Sequence, residues 1–256
     1  MSHSIVHRAI ALILLALSPM LTIGAEAQTH SDVNLITALD VSDSIMRHEE
    51  WLQIEGLAKA VMSAAVLDAI AGGRHGRIGF AVHTWSSGGR FEVVVPWTLI
   101  ESDDDAEGVA RALRGFAIDR SSWKSHDKGS SGSGKTPDLR TDISDAIDFA
   151  ASMALEAPHV SDRTVVNVCA NGADNVADDP RAARNHALAA GIVVNGLVIG
   201  DRRGLAGYFR EHVQGGTGSF VMEVAQPAAL ADAMVEKLLR DLIAGRTPVT
   251  AAVPFT

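Results

Sequence analysis

Three short runs, "VNLITALDVS" (33–42), "RTVVNVCANG" (163–172) and "IVVNGLVIG" (192–200), stay apolar through consecutive positions and then break at polar or glycine-bearing turns. A strand with one wet face alternates apolar and polar residues. One without that alternation is covered on both faces, the usual condition of a parallel sheet between two helical layers. The remaining segments supply the cover. "EEWLQIEGLAKAVMSAAVLDAIAGG" (49–73) reads as one helix with a glycine stop, and "SDDDAEGVARALRGF" (102–116) opens with a serine cap and acidic residues in its first turn. "TDISDAIDFAASMALEA" (141–157), "DPRAARNHALAAG" (179–191), "LAGYFREHV" (205–213) and "PAALADAMVEKLLRDLIAG" (227–245) read as further helices. "GRIGFAVHTWSS" and "RFEVVVPWT", parted by Gly88-Gly89, predict a hairpin, and "SFVMEVA" predicts a last strand. The expected fold class is therefore α/β and doubly wound, with a mostly parallel central sheet, one antiparallel edge strand and helices on both faces.

The ends of the chain read differently. "MSHSIVHR" carries Arg8, "AIALILLALSPMLTIG" is an apolar run, and Ala25-Glu26-Ala27 before Gln28 matches a small-x-small cleavage site. Residues 1–27 are thus expected to be a secretory signal peptide cut near Ala27, which places the mature chain in the periplasm or outside the cell. No later run reaches the roughly 20 apolar residues of a membrane span. Residues 28–246 are expected to form one domain and 247–256 a tail, since 47% hydrophobic and 21% charged residues suffice for a core of that size. Cys169, the single cysteine, lies in an apolar run and reads as a small buried hydrophobe. A net charge of −9 without a basic stretch argues against nucleic acid as a partner.

Residues 119–138 are polar, rich in Ser, Gly and Lys, and without period, and are expected to form a flexible surface loop. Within them "GSSGSGKT" (129–136) spells a phosphate-gripping loop. That loop works between a buried strand and a helix N-terminus. Here "RSSWKSHDK" precedes it, and Pro137 biases Thr136 away from helical geometry, so no nucleotide is expected.

In an open α/β sheet, ligands bind outside the carboxyl ends of the strands. The first strand ends in "DVSDS", with Asp40, Ser42 and Ser44 at alternate positions. Three hard oxygen donors suit Mg²⁺ or a similar cation. The same pentapeptide also reads as a serine-rich cap on the first helix. Thr141, at the start of a later helix, reads either as that helix's cap or as a further donor. Asn171, in "CANGADN", lies at the same carboxyl edge. Trp85 and Trp97 end strand-like runs and read either as core or edge packing or as a contact surface near the rim, and His48-Glu49 lacks the spacing of a zinc hydrolase.

At these residues the chain resembles von Willebrand factor type A domains. In that family an Asp-x-Ser-x-Ser motif, a threonine from a second loop and an aspartate from a third surround a divalent cation, the metal-ion-dependent adhesion site. Asp40, Ser42, Ser44 and Thr141 match. The third loop departs, with Asn171-Gly172 where the pattern has Asp-Gly, so an amide replaces a carboxylate. Loss of such a group, where it orients the metal's ligands, typically weakens binding by roughly 10–100-fold. "DVSDSIMRHEEWLQIEGLAKAV", "GRHGRIGFAVHTWSS", "VVVPWT", "GIVVNGLVIG" and "YFREHVQGGTGSF" extend the likeness to a group of secreted bacterial proteins of uncharacterised function with this fold. The resemblance implies a binding module, not an enzyme, in which Mg²⁺ or Mn²⁺ is completed by a carboxylate from a protein partner. A metal-free scaffold, with Asn171 disabling the site, and a metal-dependent hydrolase built on Asp40 are the competing readings. For the hydrolase, Ser42 stands where a second aspartate belongs.

Overall fold

The structure, a computed structural model, describes residues 28–126, 139–176 and 179–244. The signal-peptide segment, "GSSGSGKT" and the tail lie outside the described residues. In chain order the elements are β1 (His30–Ser31), β2 (Asn34–Asp40), α1 (Arg47–Val61), α2 (Ala64–Ala71), β3 (Ile78–Ser86), β4 (Arg90–Ile100), α3 (Asp103–His126) and α4 (Ile143–Leu155). They continue with β5 (Val160–Ser161), β6 (Thr164–Ala170), α5 (Arg181–Ala189), β7 (Ile192–Ile199), α6 (Leu205–Tyr208), β8 (Val221–Val224) and α7 (Leu230–Ile243). The main sheet has the order β4-β3-β2-β6-β7-β8. Every pairing in it is parallel except β3 with β4.

The apolar runs become buried strands because period-two alternation feeds two different cores. Leu35 and Leu39 of β2 face a layer formed by Ile54 and Leu57 of α1, Leu113 of α3 and Met234 and Leu238 of α7. Ile36 and Ala38 face the other way, onto Ile143 and Ile147 of α4 and Ala183 of α5. The α/β class, the antiparallel edge strand and the two helical layers expected from sequence are all present. In the β3–β4 hairpin, Gly88 and Gly89 both hold positive φ, 76° and 67°, the conformation a tight right-twisted turn needs.

Two expectations are corrected. The helix read over 49–73 is broken at Met62-Ser63, because the Ser63 side chain accepts the Val66 amide and restarts the chain as α2. Of the loop expected over 119–138, residues 119–126 are instead helical, because α3 continues through His126, and residues 127–138 lie outside the described residues. The start of α3 is held by a reciprocal cap in which Ser102 Oγ donates to Asp105 Oδ2 at 2.6 Å and accepts from the Asp105 amide at 3.3 Å. Ala106, Val109, Ala110 and Leu113 bury its apolar stripe, so a nucleated and anchored helix propagates into a stretch with no stripe of its own.

The order of the strands decides where a ligand can sit. From β2 the chain passes to α1 on one face, and from β6 it passes to α5 on the other. β2 and β6 are neighbours, with Leu39 opposite Cys169, so the crevice beyond their carboxyl ends is the topological switch point.

Candidate functional site at the carboxyl edge of the sheet

Asp40 is the last residue of β2 and is fully buried. Its Oδ1 accepts the Ser42 backbone N–H at 2.8 Å, which bends the chain off the strand and brings the serine side chains round to the edge. Its Oδ2 is buried and has no hydrogen-bond partner. Burial pushes the carboxyl up to about 6, against the nearby Ser42 hydroxyl and amide, the Asn171 amide and the charge of Arg202, which favour the ionised form. At neutral pH this is a buried carboxylate with one oxygen unsatisfied.

Hydroxyls gather beside it. Ser42 Oγ lies 3.1 Å from Ser44 Oγ and 3.3 Å from Thr141 Oγ1, bringing together positions 99 residues apart. The approach of Thr141 is fixed by backbone pairing. Asp43 N–H donates to Leu139 O, Ser87 N–H to Arg140 O, and Asn175 N–H to Thr141 O. Asn171 closes the third side, accepting from Ser44 Oγ at 2.7 Å while its Nδ2 donates to Ser44 O at 2.8 Å. The amide thus clasps the β2–α1 loop directly, holding segments that are 127 residues apart.

The structure therefore brings Asp40, Ser42, Ser44, Thr141 and Asn171 to one rim. The capping alternatives fail. The start of α1 is closed by Glu49, whose Oε2 accepts the Met46 amide, and α4 is capped by Asp142, whose Oδ1 accepts the Asp145 amide. Asp174, the carboxylate nearest in sequence to Asn171, is spent elsewhere: Oδ2 accepts the Ile143 amide at 2.7 Å and Oδ1 the Val176 amide at 3.0 Å. Trp85 is wholly buried, and Trp97 Nε1 donates to Met153 O, so both are packing residues. Cys169 is buried, its thiol pushed up to about 12 by desolvation, and is no nucleophile.

The donor set fits a small hard cation. All its side-chain donors are oxygens, and the unpartnered Asp40 Oδ2 is the kind of orphan that a cation, or a water bound to one, satisfies. Among the described residues no group of three or more His, Cys, Asp or Glu could hold a metal, so an ion here would rely on hydroxyls and the single Asp40 carboxylate. Sequence reasoning missed Arg202, whose charge reaches Asp40. The signal was present: "GDRRG" follows β7, a third parallel strand ending at the same edge.

The fold is that of a von Willebrand factor type A-like domain. The chain belongs to the family described as protein of unknown function (DUF1194), whose profile matches residues 30–246. No curated protein matches the chain in sequence. Solved structures with a similar fold include proximal thread matrix protein 1 from the mussel byssus, with TM-score 0.56 and 14% identity over 84% of this chain and 49% of that one. The same mussel protein with a zinc-occupied MIDAS motif gives TM-score 0.52, 15% identity and coverage of 84% and 48%. The pilus adhesin SpaC from Lactobacillus rhamnosus GG gives TM-score 0.51, 9% identity and coverage of 84% and 31%. At these identities the likeness is one of fold, and the chain spans about half the length of the mussel protein. Among the described residues no helix is long and apolar enough to cross a membrane.

Proposed function

We propose that this protein is a secreted or periplasmic binding module, without catalytic activity, that recognises an acidic group on a protein partner through a divalent cation, Mg²⁺ or Mn²⁺. Asp40, Ser42, Ser44 and Thr141 would hold the ion, with Asn171 orienting Ser44. When bound, the cation supplies a Lewis-acidic position to be completed by the partner's carboxylate. The observation that carries this reading is the second oxygen of Asp40, buried and without a hydrogen-bond partner, at the strand end where the hydroxyls of Ser42, Ser44 and Thr141 gather. A buried charge without a partner is costly, and an ion at the rim neutralises it. Zinc at the adhesion motif of the mussel protein adds support at the level of the shared fold.

One observation favours the metal-free scaffold instead. Asn171 ties the β2–α1 loop to the β6–α5 loop through two hydrogen bonds, which would hold the rim of a metal-free scaffold together. The thermal midpoint in chelator, in Mg²⁺ and in Mn²⁺, for the parent and for Ser42→Ala, separates the two. Cation at 100 times its dissociation constant adds about 2.7 kcal/mol, a rise of roughly 5–10 °C for a domain of this size. The binding reading expects that rise in the parent and its loss in Ser42→Ala. Equal midpoints in all conditions would leave the scaffold.

A further inference from the structure

The loop leaving β7 carries Asp201-Arg202-Arg203-Gly204, none of which belongs to the oxygen-donor set. Arg202 nevertheless comes to the rim. A methyl group built on Gly172, the residue after Asn171, would lie 3.7 Å from Arg202 Nη1 and 3.6 Å from Thr141 Oγ1. The guanidinium and a cation-facing hydroxyl therefore flank one point, and no side chain fills the space between them because residue 172 is glycine. Arg202 itself is exposed, and among the described residues no carboxylate lies within ion-pair distance of it.

Charge decides what this arrangement wants. Within the proposed donor set Asp40 is the one carboxylate, because the amide of Asn171 brings no charge, so a divalent ion there and the nearby guanidinium are both cationic. The two cations repel one another, and an arriving anion relieves that repulsion. Arginine's planar fork, always charged and weakly hydrated, suits a carboxylate that presents one oxygen to a metal and the other to an N–H donor.

We propose that Arg202 is a second anchor for the ligand's carboxylate, which the cation and the guanidinium grip together. This rests on the cation-dependent reading above and adds to it a residue that sets specificity for a carboxylate over a neutral oxygen donor. Cation and acidic ligand are then positively coupled, each completing the charge that the other lacks.

The test is a Mn²⁺ titration of the purified protein, followed by the electron paramagnetic resonance signal of free Mn²⁺, with and without the capped peptides acetyl-Gly-Glu-Gly-amide and acetyl-Gly-Gln-Gly-amide. Parent, Arg202→Ala and Arg202→Lys are compared, and exposure of the side chain keeps folding out of the question. In the parent, the glutamate peptide should tighten Mn²⁺ binding and the glutamine peptide should not. In Arg202→Ala, Mn²⁺ alone should bind at least as tightly as in the parent, because a repulsion is gone. The glutamate peptide should bind about 10-fold more weakly, as expected for the loss of a charged hydrogen bond. Arg202→Lys, which keeps the charge without the fork, should fall between. Equal enhancement by the glutamate peptide in parent and Arg202→Ala overturns the inference alone, as does Mn²⁺ binding that no peptide affects. Failure of the parent to bind Mn²⁺ at millimolar concentration overturns the cation reading and the inference with it.

Discussion

His83 sits on β3 with its ring edge-on to Phe149 at 4.9 Å and to Phe91 at 6.2 Å, and its Nε2 is buried without a hydrogen-bond partner. Burial holds the imidazole neutral and pushes its pKa down to about 4, against the Thr84 carbonyl that favours protonation. Because the folded value lies below the unfolded one, the stability this histidine contributes is complete above pH 6.5 and is lost as the pH falls towards 4. The loss amounts to about 3 kcal/mol. Asp40 has the opposite sign. Its folded value is raised from 3.8 to about 6, so its contribution is complete below the lower value and is lost as the pH rises towards the upper. The two offset one another across the acidic range. Urea denaturation of parent and His83→Leu at pH 7 and pH 4 should show the parent losing about 3 kcal/mol relative to the variant, and parallel pH curves would refute the assignment. At Asn171, substitution by Asp sets a carboxylate oxygen against the Ser44 carbonyl in place of an N–H donor. Asn171→Asp should be about 1–3 kcal/mol less stable in chelator. It should also bind Mn²⁺ roughly 10-fold or more tightly than the parent, and calorimetric titration together with urea curves would show whether the two changes travel together.

Among the elements, α7 is tied to the sheet by charge as well as by apolar packing. Lys237 and Asp241, one turn apart and both buried, pair at 3.0 Å. Asp241 also accepts from Asn167 of β6 at 2.6 Å and from Asn195 of β7 at 2.8 Å, while Lys237 Nζ donates to Asn167 Oδ1. Asn167 and Asn195 face each other in the β6–β7 register, so one carboxylate satisfies two neighbouring strands. Asp241→Ala leaves a buried ammonium without its counter-charge and two amides without their acceptor, and should cost about 3–5 kcal/mol in a urea unfolding experiment. Ser63→Ala, which removes the cap that restarts α2, should cost only about 1 kcal/mol. These elements also show what was legible beforehand. The strands were, because continuous apolar runs have one common structural meaning, and so were Asp40, Ser42 and Ser44, whose spacing is local. The Asn167–Asn195–Asp241 network was not: each residue looks out of place alone, and only tertiary register gives it a partner. Likewise the break at Ser63 hid inside an unbroken periodicity, and the last turns of α3 hid in a composition that reads as loop. Asn171 was legible as a departure from a pattern, but the clasp it makes depends on where Ser44 arrives in space.

At the scale of the whole molecule, the central pair of strands is joined late in the chain. Asn34 of β2 is registered with Thr164 of β6, so the middle of the sheet closes only after the hairpin, α3 and α4 have been accommodated. Long-range parallel pairing of this kind is slow to form and, once covered on both faces, slow to open. Native-state amide exchange should therefore rank β2 and β6 as the last to exchange, opening only with global unfolding, and the four-residue edge strand β8 among the first. Exchange of β2 as fast as β8 would mean that the sheet opens through its centre. The rim is assembled from the ends of these same slow strands and is stitched by the Asn171 amide. Its contour is thus set when the chain folds, and on the proposed reading a cation would alter the sign of its surface rather than its outline. A partner that fits the contour alone would be indifferent to chelator, whereas one that reads the charge would come and go with the metal on an unchanged surface.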